Sequence, residues 1–185
     1  KANEQTETCY QIPLDNTEGS EPNQQIIHDI LYSEHTGLTW VTTDKGIYKI
    51  ESEDEITRYY TENSSISDNW VISITESDGG KYWIGTYDGL NYVTPTNFEI
   101  FGAGQSSGIH SVVGIDSHSD QGAWIAMYDG LQYFDFSTRS HSDRNNLIES
   151  AKLKNNQIMS LNVDQSGIWV GYHSSGLEHY SFNKQ

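Results

Sequence analysis

The chain has 185 residues, 26 of them acidic against 10 basic for a formal charge of −16, and carries 12 Tyr, 5 Trp and 5 Phe but 3 Pro. That charge excludes the basic footprint that nucleic acid or an anionic membrane surface requires, and the single Cys9 excludes an intrachain disulfide framework and a cysteine-rich metal cluster. No apolar run reaches the roughly 18 residues of a membrane-spanning helix, and the aromatic, β-branched composition suits half-buried pleated surfaces within one domain.

The sequence begins Lys1-Ala2-Asn3 without an initiating Met, as a processed secretory protein or a trimmed piece would. Residues 1–23 read as an amino-terminal segment, polar except for Tyr10-Gln11-Ile12-Pro13-Leu14, which has the character of a strand. An alternating strand over 26–31 follows, then a hydrophobic strand with Trp40, a turn Asp44-Lys45-Gly46, a second alternating strand from Ile47, and a further strand over 56–60. The same order returns with a strand over 71–75, the acidic turn Glu76-Ser77-Asp78-Gly79-Gly80, Trp83, the turn Tyr87-Asp88-Gly89, Leu90 and a strand over 98–101. It returns a third time with 112–116, Trp124, Tyr128-Asp129-Gly130 and Leu131, after which the fourth strand is poorly defined, and a fourth time with 158–163, Asp164-Gln165-Ser166-Gly167, Trp169, Gly176 and Leu177.

The tryptophans of these copies are 43, 41 and 45 residues apart. A period near forty, with four short strands per copy and no sustained 3.6-residue apolar period, predicts an all-β fold: a β-propeller of four-stranded antiparallel blades. The blades fall at about 24–62, 63–105, 106–150 and 151–185. Recurrence makes Trp40, Trp83, Trp124 and Trp169 blade-core residues, and the recurring glycine supplies the positive φ that a tight hairpin turn needs. Four repeats are either a four-bladed ring or part of a larger propeller. The sequence ends on the third strand of the last blade, so the strand at 10–14 is placed to complete that blade, within one chain or between two.

The stretch from Asn69 to Tyr92, with Val-Ile-Ser-Ile, an acidic-glycine turn and Trp83-Ile84-Gly85-Thr86-Tyr87-Asp88-Gly89-Leu90-Asn91-Tyr92, resembles the two-component regulator propeller repeat. The other copies match more loosely: Thr42-Thr43 and Ala126-Met127 stand in place of Gly-Thr, and the last turn is one residue longer. The resemblance spans residues 24–182. It implies a periplasmic or extracytoplasmic sensor region, without catalysis of its own, that acts on a kinase or diguanylate cyclase module elsewhere in the protein. A second likeness, of Ser33 to Trp40 to the Asp-box turn of sialidases, has His35 where the Asp belongs. Arg58, Arg139 and Arg144 are at unrelated blade positions, so a glycosidase reading lacks its carboxylate-binding arginines.

Propeller ligands dock on the rim formed by the loops between second and third strands and the loops entering the first strands, because a rigid scaffold holds them there. The first set holds Asp44, Tyr87, Asp88, Tyr128, Asp129 and His173; the second holds Asn69, Trp70, His110 and Gln157. Trp70 lies outside the repeat register, so packing gives no reason for it, and Tyr87 and Tyr128 offer rings for stacking on sugars or planar ligands. Asp88 and Asp129 have an alternative role as caps of their own turns. The seven histidines show no metal-binding spacing, although His110 and His173 share a rim; no cofactor is implied. Two functions follow: a sensory module for a small molecule or glycan, and a protein-interaction or self-assembly module that forms homo-oligomers through open blade edges.

Overall fold

The computed structural model describes residues 25–77, 80–94, 97–101, 111–117, 122–127, 130–135, 140–142, 153 and 157–182. The strand expected at 10–14 lies outside them, as do Tyr128, Asp129 and His110.

Fifteen strands form four antiparallel sheets. The first blade comprises β1 (Ile27–Tyr32), β2 (Thr39–Thr43), β3 (Gly46–Ser52) and β4 (Glu55–Tyr59). The second comprises β5 (Val71–Ser77), β6 (Lys81–Thr86), β7 (Gly89–Thr94) and β8 (Asn97–Phe101). The third comprises β9 (Val112–Asp116), β10 (Gly122–Met127), β11 (Gly130–Asp135) and β12 (Ser140–Ser142); the last comprises β13 (Ile158–Val163), β14 (Gly167–Tyr172) and β15 (Gly176–Ser181). Within every sheet the strands pair in chain order, so each blade is a plain meander. The third blade does possess a fourth strand, although the polar stretch before it hid that from sequence.

Alternation along β6 shows how blades join. Tyr82 and Ile84 face the first blade, while Trp83 between them faces the third. Trp40 and Ile47 therefore pack against Val71, Ile74, Tyr82 and Ile84 of the next blade. Trp83 and Leu90 pack in the same way against Val112, Ile115 and Ile125, and Trp124 and Leu131 against Ile158, Ile168 and Val170. Each joint buries one indole and several aliphatic side chains, at roughly 1.5–3 kcal/mol per side chain, which is what holds sheets too small to fold alone.

Trp169 departs from the expected core role. Trp40, Trp83 and Trp124 are 3%, 0% and 4% exposed, whereas Trp169 is 37% exposed. The reason is the order of the joints: each tryptophan is covered by the following blade, and no described blade follows the fourth. Nor does a cluster of buried residues join the fourth blade to the first among the described residues, so these do not close into a four-bladed ring.

Candidate functional site

The two loop sets do share one rim, and backbone bonds tie them together blade by blade. The Tyr87 N–H donates to the Trp70 carbonyl at 3.0 Å, the Asp44 N–H to the Ile26 carbonyl at 3.2 Å, and the His173 N–H to the Gln157 carbonyl at 3.0 Å. The Tyr87 carbonyl then accepts from Ser111 N–H at 2.7 Å, which couples the second blade to the third. Register shifts recur where the first strand leaves the rim, between Ile27 and Asp29, Val71 and Ser73, and Ile158 and Ser160. Such bulges twist a strand locally and re-aim the side chains beside them.

Trp70 and Tyr87 meet on this rim. Their ring centroids are 6.3 Å apart at 37°, and both side chains are open to solvent, at 48% and 58%. His28 of the first blade also stacks on Trp70, with ring centroids 6.0 Å apart and nearly parallel at 20°. Its Nε2 is buried and has no hydrogen-bond partner among the described residues. Sequence reading did not single out His28, because its role arises from the neighbouring blade; no local motif announces it. The result is an exposed two-ring platform backed by an imidazole, the form that takes the face of a sugar or another flat ring.

The turn beneath Tyr87 is not capped by Asp88, which makes no hydrogen bond among the described residues. The Thr86 hydroxyl instead donates across the turn to the Gly89 carbonyl at 3.0 Å, and Thr43 does the same to Gly46 at 2.8 Å in the first blade. Asp88, next to Tyr87 in the turn, is half-buried. Asp44 does cap: it accepts the Ile26 N–H at 3.0 Å and so binds the entering loop to the turn. Arg58 closes the same turn from β4, its Nε and Nη2 donating to the Lys45 carbonyl at 3.0 and 2.6 Å. His173 is exposed in the last blade and is not brought against the Trp70 platform.

A second concavity, about 590 Å³, runs along the outer flank of the joint between the first two blades, lined by Thr36, Trp40, Lys49, Glu51, Tyr59 and Tyr82 among others. Trp40 and Tyr82 are almost wholly buried behind it. Thr36 is already bonded to Tyr82 at 2.7 Å and to Ser33 at 2.9 Å, and Lys49 is paired with Glu51. That pairing raises the Lys49 pKa and lowers that of Glu51, chiefly through their mutual hydrogen bond. Thr36, Lys49 and Glu51 of this cleft are thus already paired within the protein, whereas the buried Trp40 Nε1 has no hydrogen-bond partner among the described residues.

At the opposite end of the blades, one turn is strongly organised. Asp164 accepts from the Ser166 N–H at 2.6 Å, the Ser166 hydroxyl at 2.5 Å and the Gly167 N–H at 3.1 Å, and its other oxygen accepts from Trp169 Nε1 at 2.8 Å. The Ser166 hydroxyl, then the Trp169 indole, hold the Asp164 carboxyl well below the usual carboxylate range. This is a scaffold device of the same kind as Ser33, whose hydroxyl oxygen accepts from Thr36 N–H at 3.1 Å in the matching turn of the first blade.

No family model and no curated protein matches this chain. Solved structures do. The chain is similar to the extracellular domain assigned to the hybrid two-component system BT3049 of B. thetaiotaomicron, with a TM-score of 0.68 and 22% identity over 97% of this chain and 25% of that one. The extracellular domain of BT4673 from the same organism gives a TM-score of 0.61 at 18% identity over 86% of this chain and 25% of that one. The computationally designed Ika4 protein gives 0.60 at 10% identity, over 86% of this chain and 93% of that one. The chain thus shares its β-propeller fold with extracellular domains assigned to a hybrid two-component system and to a one-component system, and spans about a quarter of the length of each.

Proposed function

We propose that this chain is a sensory, non-catalytic propeller region that works outside the cytoplasm and binds its ligand on the rim at Trp70 and Tyr87. The observation that carries this reading is a pair of large aromatic side chains held in contact yet open to water, where the scaffold alone gives no reason to expose them. Their backbones are locked by the Tyr87-to-Trp70 bond, so a ligand would meet a platform already in place, with little ordering cost. The ligand class this suits is an oligosaccharide: C–H faces of a sugar lie on the rings, and Asp88 beside them accepts hydroxyl protons. Likeness to extracellular domains assigned to hybrid two-component systems supports the sensory setting and the extracytoplasmic location.

A glycan array probed with the purified chain tests this. Binding to one glycan class that disappears in Trp70→Ala, with thermal stability retained, supports the reading; an array without signal, or signal unchanged by Trp70→Ala, sinks it.

A further inference from the structure

In each blade one residue pairs with the repeated tryptophan across the hairpin, and in three of the blades that residue carries a ring. Trp83 pairs with Tyr92, Trp124 with Tyr133 and Trp169 with His179, with ring centroids 4.5, 5.2 and 4.2 Å apart. In the first blade the residue paired with Trp40 is Lys49, which has no ring. Directly opposed side chains are near neighbours on one face of a sheet, so this exchange takes a ring from beside Trp40.

The blade that follows makes a second exchange. Phe134 of the third blade meets Trp83 at 5.8 Å, and the corresponding residue of the second blade is Val93: Phe134 pairs with Ala123, and Val93 with Tyr82. Tyr82, where the third blade has Ala123, returns one ring to the joint, 5.1 Å from Trp40. Two rings are lost and one is regained. The cleft of about 590 Å³ lies at this joint, with Trp40, Lys49, Tyr82 and Val93 all on its wall. It sits between two blades of the chain, so the space is a property of the joint and not of an outer face.

Protein interiors pack to the density of organic crystals, and a space of this size falls in the range of small-molecule sites, roughly 300–1,000 Å³. The ion-paired Lys49 and Glu51 set a charged donor beside a charged acceptor on the cleft wall, and both side chains stay partly open, at 22% and 33%. A hydroxyl can accept from the ammonium and donate to the carboxylate at once, which a charged group of either sign cannot do.

We infer that this cleft binds a small phenolic molecule, its ring against Trp40 in the place that Tyr92 and Tyr133 fill in the next two blades, and its hydroxyl at the Lys49–Glu51 pair. The site is separate from the rim at Trp70 and does not rest on the ligand proposed there.

Ligand-observed NMR titration of the intact chain with p-cresol, the tyrosine side chain as a free molecule, tests this. Saturable binding is expected, in the millimolar range that so few atoms allow. Toluene, with the ring but no hydroxyl, should bind several-fold more weakly. Lys49→Tyr and Val93→Phe each supply from the protein a ring found in the neighbouring blades, and each should weaken p-cresol about tenfold or more. The thermal midpoint of each variant should hold or rise, because the joint is then filled. The two substitutions lie in different blades, so the test stands even where one of them disturbs folding. Absence of saturable binding overturns the proposal, as does toluene binding as tightly as p-cresol or a folded variant that keeps the wild-type affinity.

Discussion

The imidazole of His28 lies almost parallel to the indole of Trp70, 6.0 Å between centroids, although the two belong to different blades. The same indole also meets Tyr87, so it has ring neighbours from its own blade and from the one before it. Trp70 is therefore oriented without being buried, and its removal should separate binding from folding. Trp70→Ala is expected to weaken the rim ligand about tenfold, the combined worth of a stacked ring and its area. Its thermal midpoint should stay close to wild type, since exposed substitutions change stability by about 0.5 kcal/mol. Calorimetric titration alongside a melting curve checks both halves.

Asp164 makes stability depend on pH at a defined end of the scale. Its folded carboxyl is more acidic than the ordinary value of 3.8, because Ser166 and Trp169 donate to the charged form. The stabilisation it gives is thus fully present above pH of about 4 and is lost as pH falls further, through the folded value. Asp164→Asn should be less stable than wild type at neutral pH, and the gap should narrow below pH of about 4. Urea midpoints of both proteins across that range measure it; a gap that stays constant would show that the carboxylate's charge is irrelevant.

Gly46 has φ +123°, and a Cβ there would lie 2.4 Å from the Tyr59 carbonyl oxygen. Both the backbone conformation and the space therefore exclude a side chain. Gly46→Ala is expected to destabilise by about 1–3 kcal/mol from backbone strain alone. Gly37, at φ +73° with no atom near its missing Cβ, should tolerate Ala with the conformational penalty only. Paired denaturation curves of the two variants separate clash from conformation.

The sequence made the blades legible because hydrophobic period and turn chemistry are local. The strands over 112–116 and 158–163 coincide with β9 and β13, and glycines 46, 89 and 176 do adopt positive φ. It also made Trp70 stand out, since a tryptophan off the repeat register has no packing excuse. What it hid depends on neighbours rather than on pattern. His28 joins the platform from an adjacent blade, Thr86 takes the turn bond assigned to Asp88, and Trp169 repeats a core motif without the blade that would cover it.

The same tryptophan in two copies should therefore carry two very different energies. Trp83 is fully buried among Tyr92, Val112, Ile125 and Phe134, and Trp83→Ala leaves a large void in the middle of a joint. A loss of about 3–5 kcal/mol is expected, enough to unfold much of a marginally stable domain. Trp169 is 37% exposed; it stacks on His179, with ring centroids 4.2 Å apart, and donates to the Asp164 carboxylate at 2.8 Å. Trp169→Ala should cost less than about 1 kcal/mol. Chemical denaturation of both variants reads this out: equal penalties for Trp83 and Trp169 would refute the account that the two indoles differ because one is covered by a following blade and the other is not.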